Sequence, residues 1–186
     1  MRLTFLLLSL TLVADAADYH LELAPETSKI NWTLSTLLHT VHGTFKLKFG
    51  DIHFDPDTGK ASGEVVVDAA TGESGESRRD SRMQKSVLES LKFPQVTFAP
   101  DRVEGKVELN GTSNVRLHGS FNIHGVSHEI TMPVQVRARQ NHLAANAKFD
   151  VPYIEWGMKD PSTFILKVSK LVEVECTAEF TVLDGR

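Results

Sequence analysis

From Ile30 onward the chain repeats one device. Short runs alternate apolar with polar residues, and turn-forming residues separate the runs. Ile30, Trp32 and Leu34 alternate with Asn31 and Thr33, and Phe45, Leu47 and Phe49 alternate with Lys46 and Lys48. The same period recurs in Val65 and Val67, in Leu117, Phe121 and Ile123, and in Ile130, Met132, Val134 and Val136. It returns in Leu143, Ala145, Ala147 and Phe149, and in Val172, Val174, Cys176, Ala178 and Phe180. A period of two puts successive side chains on opposite faces of a strand, so each run reads as a strand with one buried face. Leu21 and Leu23 read as a short leading strand, Val96 to Glu104 as another, and Phe164 to Leu183 as one long final strand. Asp55-Pro56-Asp57-Thr58-Gly59, Asn110-Gly111, His124-Gly125 and Asn141-His142 supply the turns. Pro133 marks an edge or a bulge, because proline donates nothing to a ladder. About eight strands at hairpin spacing allow a sandwich or an up-and-down barrel. Closure removes exposed edges, so the expected fold is all-β: a single extended antiparallel eight-stranded β-barrel. Such a barrel is filled by its own side chains or holds one small ligand.

One stretch breaks the period. In Ser77–Phe98, Ser77 and Asp80 have the spacing of a capping box, and Met83, Val87 and Leu91 recur every four residues. Phe93-Pro94 closes the segment, since proline disfavours a helical residue before it. The spacing predicts one short amphipathic helix that covers one barrel end, with Met83, Val87 and Leu91 facing inward.

Residues 1–16 are set apart. Met1-Arg2, an apolar run from Leu3 to Val13 and the small residues Ala14 and Ala16 have the plan of a secretory signal peptide cleaved after Ala16. The domain is then 17–186, the expected location is the periplasm or the exterior, and no other segment is apolar enough to cross a membrane as a helix. The net charge of −4 comes with no basic face, which argues against nucleic acid as a partner. Cys176 is the only cysteine, so packing must supply stability without an intrachain disulfide.

The search for chemistry finds little. There is no nucleophile elbow, phosphate-cradling glycine loop or zinc-protease motif. His124 and His128 flank a turn, His39 and His42 fall on opposite strand faces, and His53, His118 and His142 stand isolated. No catalytic residue, metal or cofactor is therefore expected. Arg78, Arg79, Asp80 and Arg82 form the densest charge cluster. They read as a solvated helix start, as a tie between helix and barrel rim, or as an arginine meeting an anionic head group.

The chain resembles the YceI-like family over roughly Lys29 to Leu183. Gly43-Thr44-Phe45, Arg79-Asp80 and Lys92-Phe93-Pro94-Gln95-Val96-Thr97-Phe98 carry the resemblance. So do Gly119-x-Phe121-x-Ile123-x-Gly125-Val126 and Trp156-Gly157-Met158. It implies a lipocalin-like barrel with a long apolar tunnel for a polyisoprenoid or similar amphiphile, and no established enzymatic activity. Two positions depart from the pattern: Arg82 and Ser35 stand where the family often has histidine.

The expected function is that of an exported lipid-binding protein that sequesters or carries a long-chain, isoprenoid-like amphiphile, with a homodimer allowed for. The expected lining is Phe45, Leu47, Phe49, Val65, Val67, Arg79, Met83, Phe98, Leu117, Phe121, Phe149, Trp156 and Phe164, with Val66 offering the opposite register to Val65 and Val67. The alternatives are a hydrolase using His39 or His42 with a nearby acid, and a ligand-free exported stress or structural protein with a filled interior.

Overall fold

The computed structural model describes residues 18–36, 38–163 and 167–185, the side chains of 184 and 185 excepted. The expected leader and Phe164 lie outside the described residues. Nine strands run β1 Tyr19–Leu23, β2 Lys29–Ser35, β3 Thr40–Phe54, β4 Ala61–Glu73, β5 Gln95–Glu104, β6 Gly111–Ile123, β7 Val126–Arg139, β8 His142–Val151 and β9 Val172–Gly185. They form one closed antiparallel barrel of eight staves. The count differs from nine because β1 and β2 share a stave. Both lie between β9 and β3: Glu22 pairs with Asp51 and Thr181, and Ile30 pairs with Phe45 and Cys176. The break between them, at Pro25, is fastened to β9, where Ala24 N donates to Glu179 O and Glu179 N donates to Ser28 Oγ. β3 pairs with β4 to close the ring.

One expectation needs correction and one resolves. The final strand begins at Val172, since the described residues 167–171 before it are not strand. Pro133 marks a local edge and not a bulge: β7 is paired continuously with β6 but has no β8 partner from Val126 to Pro133. It sits where the β7–β8 ladder stops, one residue before the last pair, Val134–Ala147. The missing N–H costs nothing at a position with no partner to receive it.

The predicted helix is present but differently built. An α-helical turn α1, Ser77–Arg82, runs into a π-helical turn, Met83–Val87. Glu76, not Ser77, caps it: its carboxylate accepts from Arg78 N at 3.0 Å and Arg79 N at 2.7 Å. Asp80 instead binds Ser74 Oγ. Leu88 N donates to Met83 O in the wide spacing of a π turn, and Glu89 then adopts φ 47°. Met83, Val87 and Leu88 face the barrel. The helix ends at Val87, so Leu91, expected inward, lies in the turn beyond it and is 100% exposed.

The cap makes this segment sensitive to acid. The two amides of Arg78 and Arg79 hold the Glu76 carboxyl below its ordinary value of 4.5. A depressed carboxyl adds stability above the unfolded value and loses it as pH falls through the folded one. The amide shifts of Arg78 and Arg79 are expected to titrate together by NMR, with a midpoint below 4.5. Glu76→Gln should abolish that titration. A midpoint at or above the ordinary value would refute the cap.

Candidate ligand-binding cavity

The inward faces of the strands do not meet. They enclose a cavity of about 700 Å³ that runs from the helix end towards the far end of the barrel. Strand register builds its walls. Val115, Val134, Ala147, Cys176, Ile30 and Phe45 are successive Cα partners around six staves, and all six border the cavity. Near the helix end, Val65, Phe98 and Phe121 form a second such line. At the far end Phe54, Val107 and Phe180, each under 9% exposed, close the floor. A second apolar cluster of Phe121, Ile123, Val151, Tyr153 and Met158 packs below the helical segment.

Polar groups collect at one mouth. Thr36, His39, Glu76, Arg78, Arg79 and Arg82 border the cavity where α1 crosses it. The Glu76 carboxylate is occupied by the backbone amides of Arg78 and Arg79. Arg79 Nε donates to Ser74 Oγ at 2.7 Å and its Nη2 to Ser74 O at 3.0 Å. Arg82 Nη2 donates to Pro161 O at 3.2 Å, tying α1 to the loop after β8. None of the three arginines forms an ion pair among the described residues. Trp32 also borders the cavity, and its Nε1 is buried without a hydrogen-bond partner among the described residues. The mouth thus offers hydrogen-bond donors and positive charge, and the remaining wall is apolar.

The wall holds titratable groups in their neutral forms. Burial pushes the Cys176 thiol up to about 11, so it stays protonated at neutral pH. Burial, with a smaller contribution from Asp160, raises Tyr153 to about 12, and its hydroxyl donates to Ser169 O at 3.0 Å. A protonated, buried thiol is a poor nucleophile.

Phe45, Leu47, Val65, Val67, Phe98, Leu117, Phe121 and Phe149 border the cavity, as do Arg79 and Met83. Val66 lies on the outer face, opposite Phe49. Two expected lining residues are elsewhere. Phe49 is 51% exposed, because the β3–β4 register shifts between Leu47 and Phe49 and reverses the faces of β3. Gly50, Ile52 and Phe54 are buried after the shift, where Lys46 and Lys48 are exposed before it. Trp156 does not border the cavity. Its ring stacks on His128 at 4.1 Å and leans on Phe121 at 5.7 Å, beside the segment of β7 left unpaired by β8. It seals that seam from outside, and Met158, two residues on, supplies the inward side chain. Ile30, Met132, Val134 and Met158 were not singled out as lining, although strand alternation marked the first three as apolar-face residues.

The chain matches the YceI-like domain family over residues 21–180. It belongs to the YceI-like family. Among solved structures this YceI-like barrel is similar to Burkholderia cenocepacia BcnA, with a TM-score of 0.71 and 16% identity over 84% of this chain and 98% of that one. It is also similar to a polyisoprenoid binding domain from Saccharophagus degradans implicated in plant cell wall breakdown, with a TM-score of 0.69 and 15% identity over 87% and 98% of the two chains. A mutant Campylobacter jejuni YceI protein with a monobromobimane guest gives 0.50 and 14% identity over 95% and 92%. At these identities the likeness is one of fold. No functionally curated protein matches the chain. Among the described residues no helix is long and apolar enough to cross a membrane.

Proposed function

We infer that this YceI-like barrel binds a long-chain, isoprenoid-like amphiphile, its apolar chain in the cavity and its polar head at the arginine-bearing mouth. The observation that carries this reading is the one-sided polarity of a single large cavity, apolar from floor to neck and donor-lined at the mouth. Packing supports it: an unfilled volume of about 700 Å³ leaves apolar walls without contacts on their inner side. Apolar walls give water few partners, so an apolar guest is the economical filling. The S. degradans neighbour is named for polyisoprenoid binding, which agrees with this chemistry.

The signal-peptide plan of residues 1–16 supports work outside the cytoplasm, as a carrier or as a store. A hydrolase would need histidine and carboxylate facing each other in the cavity. His39 borders it with no carboxylate partner among the described residues, and His42 bonds Thr33 Oγ1 at 3.1 Å without bordering it. The geometry therefore favours binding.

Native mass spectrometry with lipid extraction, on protein purified from its own host, tests the reading. The expected result is one long-chain amphiphile per barrel. Repeatedly empty protein, with a contracted interior by hydrogen exchange, would refute it.

A further inference from the structure

A second site lies on the outer face of the barrel, at the end away from the helix. β1 and β3 are antiparallel there, and His20 and His53 are direct Cα partners. Asp51 lies two residues before His53, so strand alternation puts it on the same face. Asp51 Oδ2 is 2.8 Å from His20 Nε2, and Asp51 Oδ1 is 3.7 Å from His53 Nε2. One carboxylate thus faces the same nitrogen of both rings. Behind His53, Asp18 Oδ2 sits 3.2 Å from Nδ1. A carboxylate on Nδ1 holds the proton there and leaves Nε2 as the lone-pair donor, which is how metal-binding histidines are oriented. The geometry points to a site for a borderline divalent cation such as zinc, formed by His20 Nε2, His53 Nε2 and an Asp51 oxygen, with Asp18 as the orienting group.

The spacing fits. One donor atom from each of the three residues lies within 4.8 Å of the other two. Around a tetrahedral zinc with bonds of about 2.0–2.2 Å, ligand atoms stand about 3.3–3.6 Å apart. The observed 2.8 Å from Asp51 Oδ2 to His20 and 3.7 Å from Asp51 Oδ1 to His53 lie on either side of that separation, and a small turn of the carboxylate brings one oxygen to both rings. The rings now stack 4.5 Å apart at 9°, and an ion in the plane of both requires them to splay. Terminal ring torsions are soft, and the side chains of His20, Asp51 and His53 are 31%, 40% and 45% exposed, so the rings turn without moving the strands. On binding, the ion replaces the proton shared by His20 and Asp51, and solvent completes the fourth position. Two imidazoles and a carboxylate select zinc, copper or nickel over magnesium and calcium, which take mainly oxygen ligands. The opposite faces of these strands carry Leu21, Ile52 and Phe54 into the cavity. An ion here therefore staples the short β1 to β3 beside the floor of the barrel. The site does not depend on the identity of the cavity ligand.

The cluster of Asp101, His118 and Glu129 has a single imidazole, with carboxylates 2.7 and 3.8 Å from its two nitrogens, and serves as the control. Untagged full-length protein is titrated calorimetrically with zinc sulfate. The expected result is one saturable zinc per chain and a raised Tm. His53→Asn and Asp51→Asn should each weaken binding at least 100-fold, and His118→Asn should leave it unchanged. Asp18→Asn should weaken zinc about 10–100-fold, with no change in the Tm measured without zinc. Absence of saturable zinc binding in the folded wild type would overturn the proposal. So would stoichiometric binding that survives His53→Asn, since the ion would then be held elsewhere.

Discussion

Ala147→Trp is expected to abolish binding of the proposed long-chain ligand without unfolding the barrel. Ala147 lies on β8 between Val134 and Cys176, in the line of partners that crosses the cavity wall. Its side chain points into free volume, so an indole there fills cavity and does not press on packed core, the usual source of overpacking cost. The ligand loses that volume. Displacing about five methylenes from the wall at about 0.8 kcal/mol each removes ~4 kcal/mol, about a thousandfold in affinity. Native mass spectrometry should show the ligand mass lost. Titration with a fluorescent long-chain amphiphile should show the affinity change, and circular dichroism should remain that of the wild type. Lys148→Trp, one residue on and facing out, should bind normally. Wild-type affinity in a folded Ala147→Trp protein would sink the cavity reading.

Gly43→Ala should cause a large loss of stability. Gly43 is the cross-strand partner of Trp32, whose ring lies over it. A methyl group at residue 43 would collide with the Trp32 indole on one side and the Glu73 carbonyl oxygen on the other. Neither gives way easily: Trp32 is 5% exposed, and Glu73 is the β4 partner of Thr44. The β3–β4 ladder shifts register next to this pair, and Lys46 N is satisfied by Thr71 Oγ1 at 2.9 Å. The added methyl therefore meets the seam that closes the barrel. Overpacking costs about 1–3 kcal/mol where side chains can yield, and more where backbone must move. A loss of about 3 kcal/mol in a protein of this size lowers Tm by about 6–12 °C. Calorimetry checks this. A Tm within a degree or so of wild type would mean that Trp32 and Glu73 do not approach Gly43 as described.

Much of this architecture was legible in the chain. The alternation of Val172, Val174, Cys176, Ala178 and Phe180 correctly assigned the cavity-facing side of β9 over those residues. Asp55 caps its own turn, accepting from Asp57 N and Thr58 N, as the turn chemistry there required. These features are local, and local periods determine them. Leu91 and Phe49 fall elsewhere for two different reasons. Leu91 lies beyond the helix, which ends at Val87 before Glu89 turns with φ 47°. Phe49 follows the bulge after Leu47, and a periodic pattern assigns faces only while its element and its phase last.

The sequence by itself determined an all-β chain, the apolar faces of its strands and one helical segment, because a strict period of two leaves an apolar face that must be buried; it allowed a sandwich or a barrel, and the structure closes the barrel. Only the tertiary structure decided that those faces stand apart around a cavity, that Trp156 seals a seam, and that His20 and His53, 33 residues apart, share one carboxylate. The physical reason is that strand register, barrel girth and cross-strand pairing arise between segments. They depend on which stave meets which and where each ladder ends, and no single stretch of chain encodes that.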